Sequence, residues 1–265
     1  MLKKAALVLT MGFALGGMSV WDARAIEYQA KVGAAMYSWQ EQIGGLTPKE
    51  LGPALTLGGY IKGFPSSANP GLSLRSDAEM FLAHVNYDTY ESFTNAPVTL
   101  HTNYLGLTYE ASAGWRSSDS PNAIEPFIGY GLRWWLRSIQ SSDTVSGYPE
   151  QYTIIYNRIG LRGGREIRGH TVLHGSVSLD PMLFAREQVD FTSFPSGDTF
   201  TVKNGLRPGW TVELGMRGET VDGTISWRAT RFGPSNTVSC LQGTAQCHQP
   251  ESRQDMIGLT LGIFF

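Results

Sequence analysis

Three groups of residues in this chain have types and spacings that could do chemistry. The first is His174-Gly175-Ser176. On a β-strand, residues two apart share a face, so His174 would be placed to act as base toward a Ser176 nucleophile. On an enclosed inner face the same two side chains would serve equally as polar lining. The second is Cys240 and Cys247, close together in a polar stretch with His248 adjacent. Such thiols bind a metal or pair as a disulfide. No second ligand pair stands elsewhere, so no metal or other cofactor is expected. The third is a set of charges at alternate positions within otherwise apolar-alternating segments: Glu27, Lys31, Lys62, Arg75, Asp77, Glu79, Glu110, Arg133, Arg158, Arg162, Asp180, Glu213, Arg217 and Arg228. Charges on one enclosed face must pair or pay a desolvation penalty. They form either a salt-bridge plug or the lining of a selective channel.

The elements that must position these groups are read from period-two alternation. Ten segments carry it: Ile26–Trp39, Leu55–Phe64, Leu74–Tyr87, Leu105–Trp115, Ile124–Arg137, Thr153–Gly163, Thr171–Leu183, Trp210–Arg217, Thr224–Thr230 and Met256–Phe265. In the fourth, Leu105, Leu107, Tyr109, Ala111, Ala113 and Trp115 oppose Gly106, Thr108, Glu110, Ser112 and Gly114. In the sixth, Asn157 interrupts the apolar row and marks a bulge or a rim position. Segments of this length with one apolar and one polar row suit membrane-crossing β-strands. The expected fold is all-β: an antiparallel up-and-down transmembrane barrel of about ten strands. A soluble antiparallel sandwich also alternates, but its outward rows would be polar.

The connections agree with a barrel. Expected outer loops at Gln40–Pro53, Asp88–Thr99, Ser138–Gln151, Ala185–Leu206 and Gly233–Ser252 alternate with inner turns at Pro65–Ser73, Ser117–Ala123, Gly164–Gly169 and Thr220–Gly223. A Val-Asp-Gly turn at Val221–Gly223 is expected to join the eighth and ninth segments. Upstream, Lys3 and Lys4 precede a run from Ala5 to Val20 without charge, and Ala23-Arg24-Ala25 fits signal-peptidase cleavage. The expected division is a leader at 1–25, removed on export, and one barrel domain at 26–265. Export leads to an oxidising compartment, where Cys240 and Cys247 would pair. Removing Lys3, Lys4, Arg24 and Asp22 from 21 basic and 23 acidic residues leaves 18 and 22, a net charge of −4. That balance excludes the basic stripe of a nucleic-acid partner.

The final segment alternates Ile257, Leu259, Leu261, Ile263 and Phe265 with Met256, Gly258, Thr260, Gly262 and Phe264. A terminal aromatic after such a row resembles the assembly signal of Gram-negative outer-membrane barrels. The resemblance implies partners: the barrel-assembly machinery during biogenesis, then outer-membrane lipid and lipopolysaccharide. His174-x-Ser176 is similar to the His-x-Ser pattern of outer-membrane lipid A deacylases, whose accompanying Asn has no counterpart here. Omptin proteases share the ten-strand architecture and use Asp and His near the outer rim, where His84, Asp88 and Asp190 fall. The leading expectation is a non-enzymatic surface barrel with a structural or loop-mediated binding role. A narrow, porin-like channel and an outer-membrane hydrolase are the alternatives.

Overall fold

The computed structural model describes residues 26–64, 71–90, 96–118, 120–143, 145–194 and 197–265. The expected leader and its cleavage site lie outside them. Among the described residues fifteen strands follow in chain order: β1 Ile26–Glu41, β2 Lys49–Gly63, β3 Gly71–Tyr90, β4 Pro97–Arg116, β5 Ile124–Ile139, β6 Pro149–Arg168, β7 Thr171–Asp180, β8 Met182–Asp190, β9 Thr199–Lys203, β10 Gly205–Leu206, β11 Gly209–Arg217, β12 Val221–Gly233, β13 Val238–Cys240, β14 Ala245–Cys247 and β15 Ser252–Phe264. They make ten staves, because β7 with β8, and β9 through β11, are interrupted single crossings. β15 pairs β1 and β5 pairs β6, so the sheet closes on itself. Closure satisfies every stave's backbone and removes the edge that lipid would leave unpaired.

The stagger of this closure follows from the register. Cross-strand partners run Ile26, Gly63, Leu74, Ala113, Ile128, Ile159, Leu179, Trp210, Ala229, Asp255 and back to β1 at Ser38. The circuit thus returns twelve residues beyond its start. With ten staves, that shift tilts the strands by about 40° and sets the backbone about 10 Å from the axis.

The apolar rows face outward. Leu55, Ile124 and Ile225 are 65%, 61% and 59% exposed, within a belt that includes Val32, Leu57, Ile128, Leu161, Leu214 and Leu259. Surface of that extent is stable against lipid, not water. The inner rows hold glycines where large rings approach: a Cβ on Gly106 would collide with the Phe81 ring, and one on Gly131 with Tyr156.

Several boundaries differ from the sequence reading. Strands project beyond the belt at the loop end, so the first four outer connections shrink to 42–48, 91–96, 140–148 and 191–198. Much of Ala185–Leu206 is strand, and the expected loop at 233–252 contains the β13–β14 hairpin. Val221–Gly223 begins β12; the turn lies at 218–220, where the Gly218 N–H donates to the Val221 carbonyl at 2.8 Å. Gly164–Gly169 is mostly strand, with the reversal at 169–170. The seventh segment breaks at Pro181, which has no N–H to give a ladder. There the Asn157 N–H donates to the Pro181 carbonyl at 3.0 Å and the β6–β8 register slips between Ile155 and Tyr156. The inserted residue is Leu183, between Met182 and Phe184, so the bulge belongs to β8 and Asn157 lies beside it on the partner stave.

Candidate functional site

The interior is the place where the inner rows converge, and it has two unlike halves. Toward the loops, Trp39 from β1, Trp135 from β5, Tyr152 from β6 and Phe232 from β12 meet on the axis. Every pair among the four rings is in contact, with centroids from 4.9 Å for Trp135–Tyr152 to 6.3 Å for Trp39–Trp135. All four are at most 1% exposed. β1 and β6 lie on opposite sides of a ten-stave ring, so the 5.3 Å contact between Trp39 and Tyr152 spans the lumen. Tyr37, Phe81, Tyr104, Ile154 and Tyr156 pack around this quartet.

Immediately toward the loops sits Arg137, on the inner row of β5 two residues after Trp135. Its guanidinium, 1% exposed, reaches Glu150 at 2.7 Å, Glu50 at 2.9 Å and Glu41 at 3.0 Å. These carboxylates come from β6, β2 and β1, so one cation ties the fifth stave to both sides of the ring. Each carboxylate has further donors. The Trp39 indole N–H reaches Glu41 at 2.8 Å, the Tyr104 hydroxyl donates to Glu50, and the Tyr152 hydroxyl donates to Glu150 at 3.0 Å. Shared among several donors, these buried carboxylates avoid the penalty of an isolated ion.

Toward the turns, a cavity of about 340 Å³ extends to Phe64, Arg116 and Pro121 at the short-connection end. The structure places all the sequence-derived lumen charges on inner rows. Arg217 pairs Glu27 at 2.9 Å; Lys62 and Arg162 share Glu125 at 2.6 and 2.8 Å; Arg75 pairs Asp77 at 2.5 Å; Arg228 pairs Glu79 at 2.8 Å. Arg158 bridges Glu110 and Asp180, and Arg133 also reaches Asp180, at 2.8 Å. Lys31 lies over the Tyr60 ring, 4.9 Å from its centroid, and Glu213 accepts from Ser176. These pairs line walls around open space. They do not fill the barrel, and the filling comes from the aromatic quartet instead.

The other sequence candidates separate. His174 Nε2 lies 2.7 Å from Asp222 Oδ1, while the Ser176 hydroxyl donates to Glu213 at 2.8 Å. Each has a carboxylate partner of its own, and both face the cavity. His84 and Asp88 lie on the outer face of β3, four staves from Asp190 on β8, so the three do not converge. His84 contacts Asn103 at 2.7 Å and stacks on His101. Cys240 and Cys247 are joined as a disulfide across the β13–β14 hairpin. Asp198, from the neighbouring 191–198 connection, accepts the N–H groups of Leu241 and Gln242 at 2.8 and 3.2 Å. Both donors have positive φ, and the turn holds their N–H groups toward that one carboxylate. Tyr148, Phe191, Phe194 and Phe200 form a second ring cluster among the loops.

Sequence reasoning missed Glu41, Glu50, Glu150 and Glu187 because it ended β1 and the seventh segment, and began β2 and β6, inside their true limits. Extending the same alternation by a few residues puts Glu41, Glu50 and Glu150 on inner rows, whereas Glu187 turns inward only because the register slips at Leu183.

No family model and no curated protein matches this chain. Solved structures do match in shape. The outer membrane protease OmpT from Escherichia coli superimposes with a TM-score of 0.59 at 10% identity, covering 94% of this chain and 99% of that one. The beta domain of the Bordetella autotransporter BrkA gives 0.42 at 10% identity, covering 89% and 99%. The translocator domain of the autotransporter NalP from Neisseria meningitidis gives 0.38 at 11%, covering 97% and 96%. Closed staves, an apolar belt and a shared shape lead to one conclusion: the chain is a ten-stranded barrel with the fold of bacterial outer-membrane β-barrel proteins.

Proposed function

We propose that this chain is a sealed, non-enzymatic outer-membrane barrel whose role is structural or carried by its outer loops. The observation that supports this most is the contact of Trp39 with Tyr152 from opposed staves, inside a quartet in which every ring touches every other. With the backbone about 10 Å from the axis, rings meeting at the centre leave no continuous water path. The cavity toward the turns then ends blindly beneath the quartet. The loop end is built for rigidity: the disulfide hairpin is tied to the adjacent connection through Asp198, and the loop rings pack on one another. Loops held on a rigid scaffold are suited to binding.

Proteoliposome swelling in small sugars tests the reading. Vesicles carrying the refolded barrel are expected to swell no faster than protein-free vesicles. Swelling that rises with protein content and falls with sugar size would replace it with the channel.

A further inference from the structure

The outer face of the barrel changes character just above the apolar belt. Along the crossing formed by β7 and β8, the outward side chains Val177, Leu179 and Leu183 are 53%, 51% and 51% exposed; next come Phe184 and then Arg186, with Gln188 and Asp190 beyond. Arg186 thus stands where hydrocarbon gives way to headgroups. Its direct cross-strand partner on β9 is Lys203. Both are exposed, and both are cationic. Like charges directly opposite one another on adjacent strands are destabilising. Among the described residues neither forms an ion pair; Arg186 reaches the Thr201 hydroxyl at 3.4 Å.

The same arrangement recurs farther round the same rim. Arg231 on β12 is directly opposite Arg253 on β15, and Arg253 is opposite Gln40, whose other partner is Lys49. Here Asp255 pairs with Arg231 at 2.9 Å and also accepts the Trp227 indole N–H, while Arg231 lies over the Trp210 ring. Arg253 and Lys49 are exposed and, among the described residues, form no ion pair, although Lys49 has Asp88 as its cross-strand partner on β3. Asp255 already supplies an anion to the Arg231–Arg253 pair, whereas the Arg186–Lys203 pair has none among the described residues and would lower the barrel's stability unless an outside anion joins it.

We infer that the Arg186–Lys203 pair binds a phosphate group of a phosphorylated lipid in the outer leaflet, and that Arg253 extends this basic arc. A guanidinium beside an ammonium suits a phosphate, the first through paired N–H donors and the second as a point charge. The exposed apolar row directly below supplies the surface for the same lipid's acyl chains, which favours a lipid over a soluble anion. This inference rests on the membrane placement of the belt but not on the sealed lumen, so it stands or falls separately from the proposed function.

The test uses the refolded full barrel in detergent, with native mass spectrometry and titration of lipid A, dephosphorylated lipid A and inorganic phosphate. Wild-type protein is expected to retain lipid A and to bind the dephosphorylated form about tenfold more weakly, the scale of one lost charge-assisted contact. The double variant Arg186→Gln/Lys203→Gln should show the same loss toward lipid A, while Arg165→Gln on the opposite rim should not. Heat-modifiable mobility on gels confirms that each variant is folded. Equal binding of phosphorylated and dephosphorylated lipid by wild-type protein would overturn the inference. So would unchanged lipid A affinity in a folded double variant, or full competition by inorganic phosphate at equimolar concentration.

Discussion

Replacing Arg137 by alanine is the sharpest perturbation of the lumen. The side chain is 1% exposed and lies within 3.0 Å of three carboxylates, Glu41, Glu50 and Glu150, themselves at most 6% exposed. Removing one partner from a buried ion pair costs about 3–5 kcal/mol, because the remaining charge is left uncompensated. Three carboxylates around one lost cation put Arg137→Ala at the upper end of that range. The control is Arg207→Ala, whose pair with Glu251 has side chains 50% and 37% exposed. An exposed pair of that kind contributes at most about 1 kcal/mol. Urea unfolding of both variants in lipid vesicles, followed by tryptophan fluorescence, compares them directly. With a denaturant slope of about 1–3 kcal/mol per molar, Arg137→Ala should lower the midpoint by roughly 1 M or more. A midpoint no lower than that of Arg207→Ala would refute the reasoning, and with it the idea that one cation ties the staves together.

Arg133→Ala should also destabilise the barrel, by about 3 kcal/mol, and so lower the unfolding midpoint, since it strips a buried partner from Asp180; the remaining Arg158 pair limits the loss. Replacing Cys240 and Cys247 by serine should release the loop hairpin, with a chain-entropy cost of about 2–3 kcal/mol for so small a loop. Limited proteolysis of intact cells should then cut the 234–251 connection faster, without change in the barrel core. Phe265→Asp places a charge at the end of an outward apolar row, where Phe265 is 81% exposed. It should reduce the yield of heat-modifiable barrel in outer-membrane fractions, and an unchanged yield would remove the assembly role.

How much of this was legible in the sequence depended on where alternation is strong. β4 and β5 keep apolar and small residues in strict register, so Leu105–Trp115 and Ile124–Arg137 placed their faces correctly at once. The inward charges followed from the same parity. The seal was harder to see, because it forms where the staves leave the membrane and the outward row turns polar: Ser38, Gln40, Lys49 and Gln151 no longer mark a lipid face. Period two then has no apolar row to reveal it, and Glu50 and Glu150 read as loop residues. The crossing formed by β7 and β8 was blurred for a different reason. An extra residue at Leu183 shifts parity by one, which moves Ala185 and Glu187 to the inside. The convergence of Trp39, Trp135, Tyr152 and Phe232 depends on the closed ring and its twelve-residue stagger, a property of all ten pairings together.

Closure of the lumen by the ring quartet is open to direct test by single-channel recording in planar bilayers. Wild-type protein should give no steady, reproducible conductance, whereas the folded double variant Trp39→Ala/Tyr152→Ala should give one. A stable, ion-selective current from the wild-type barrel would contradict the account.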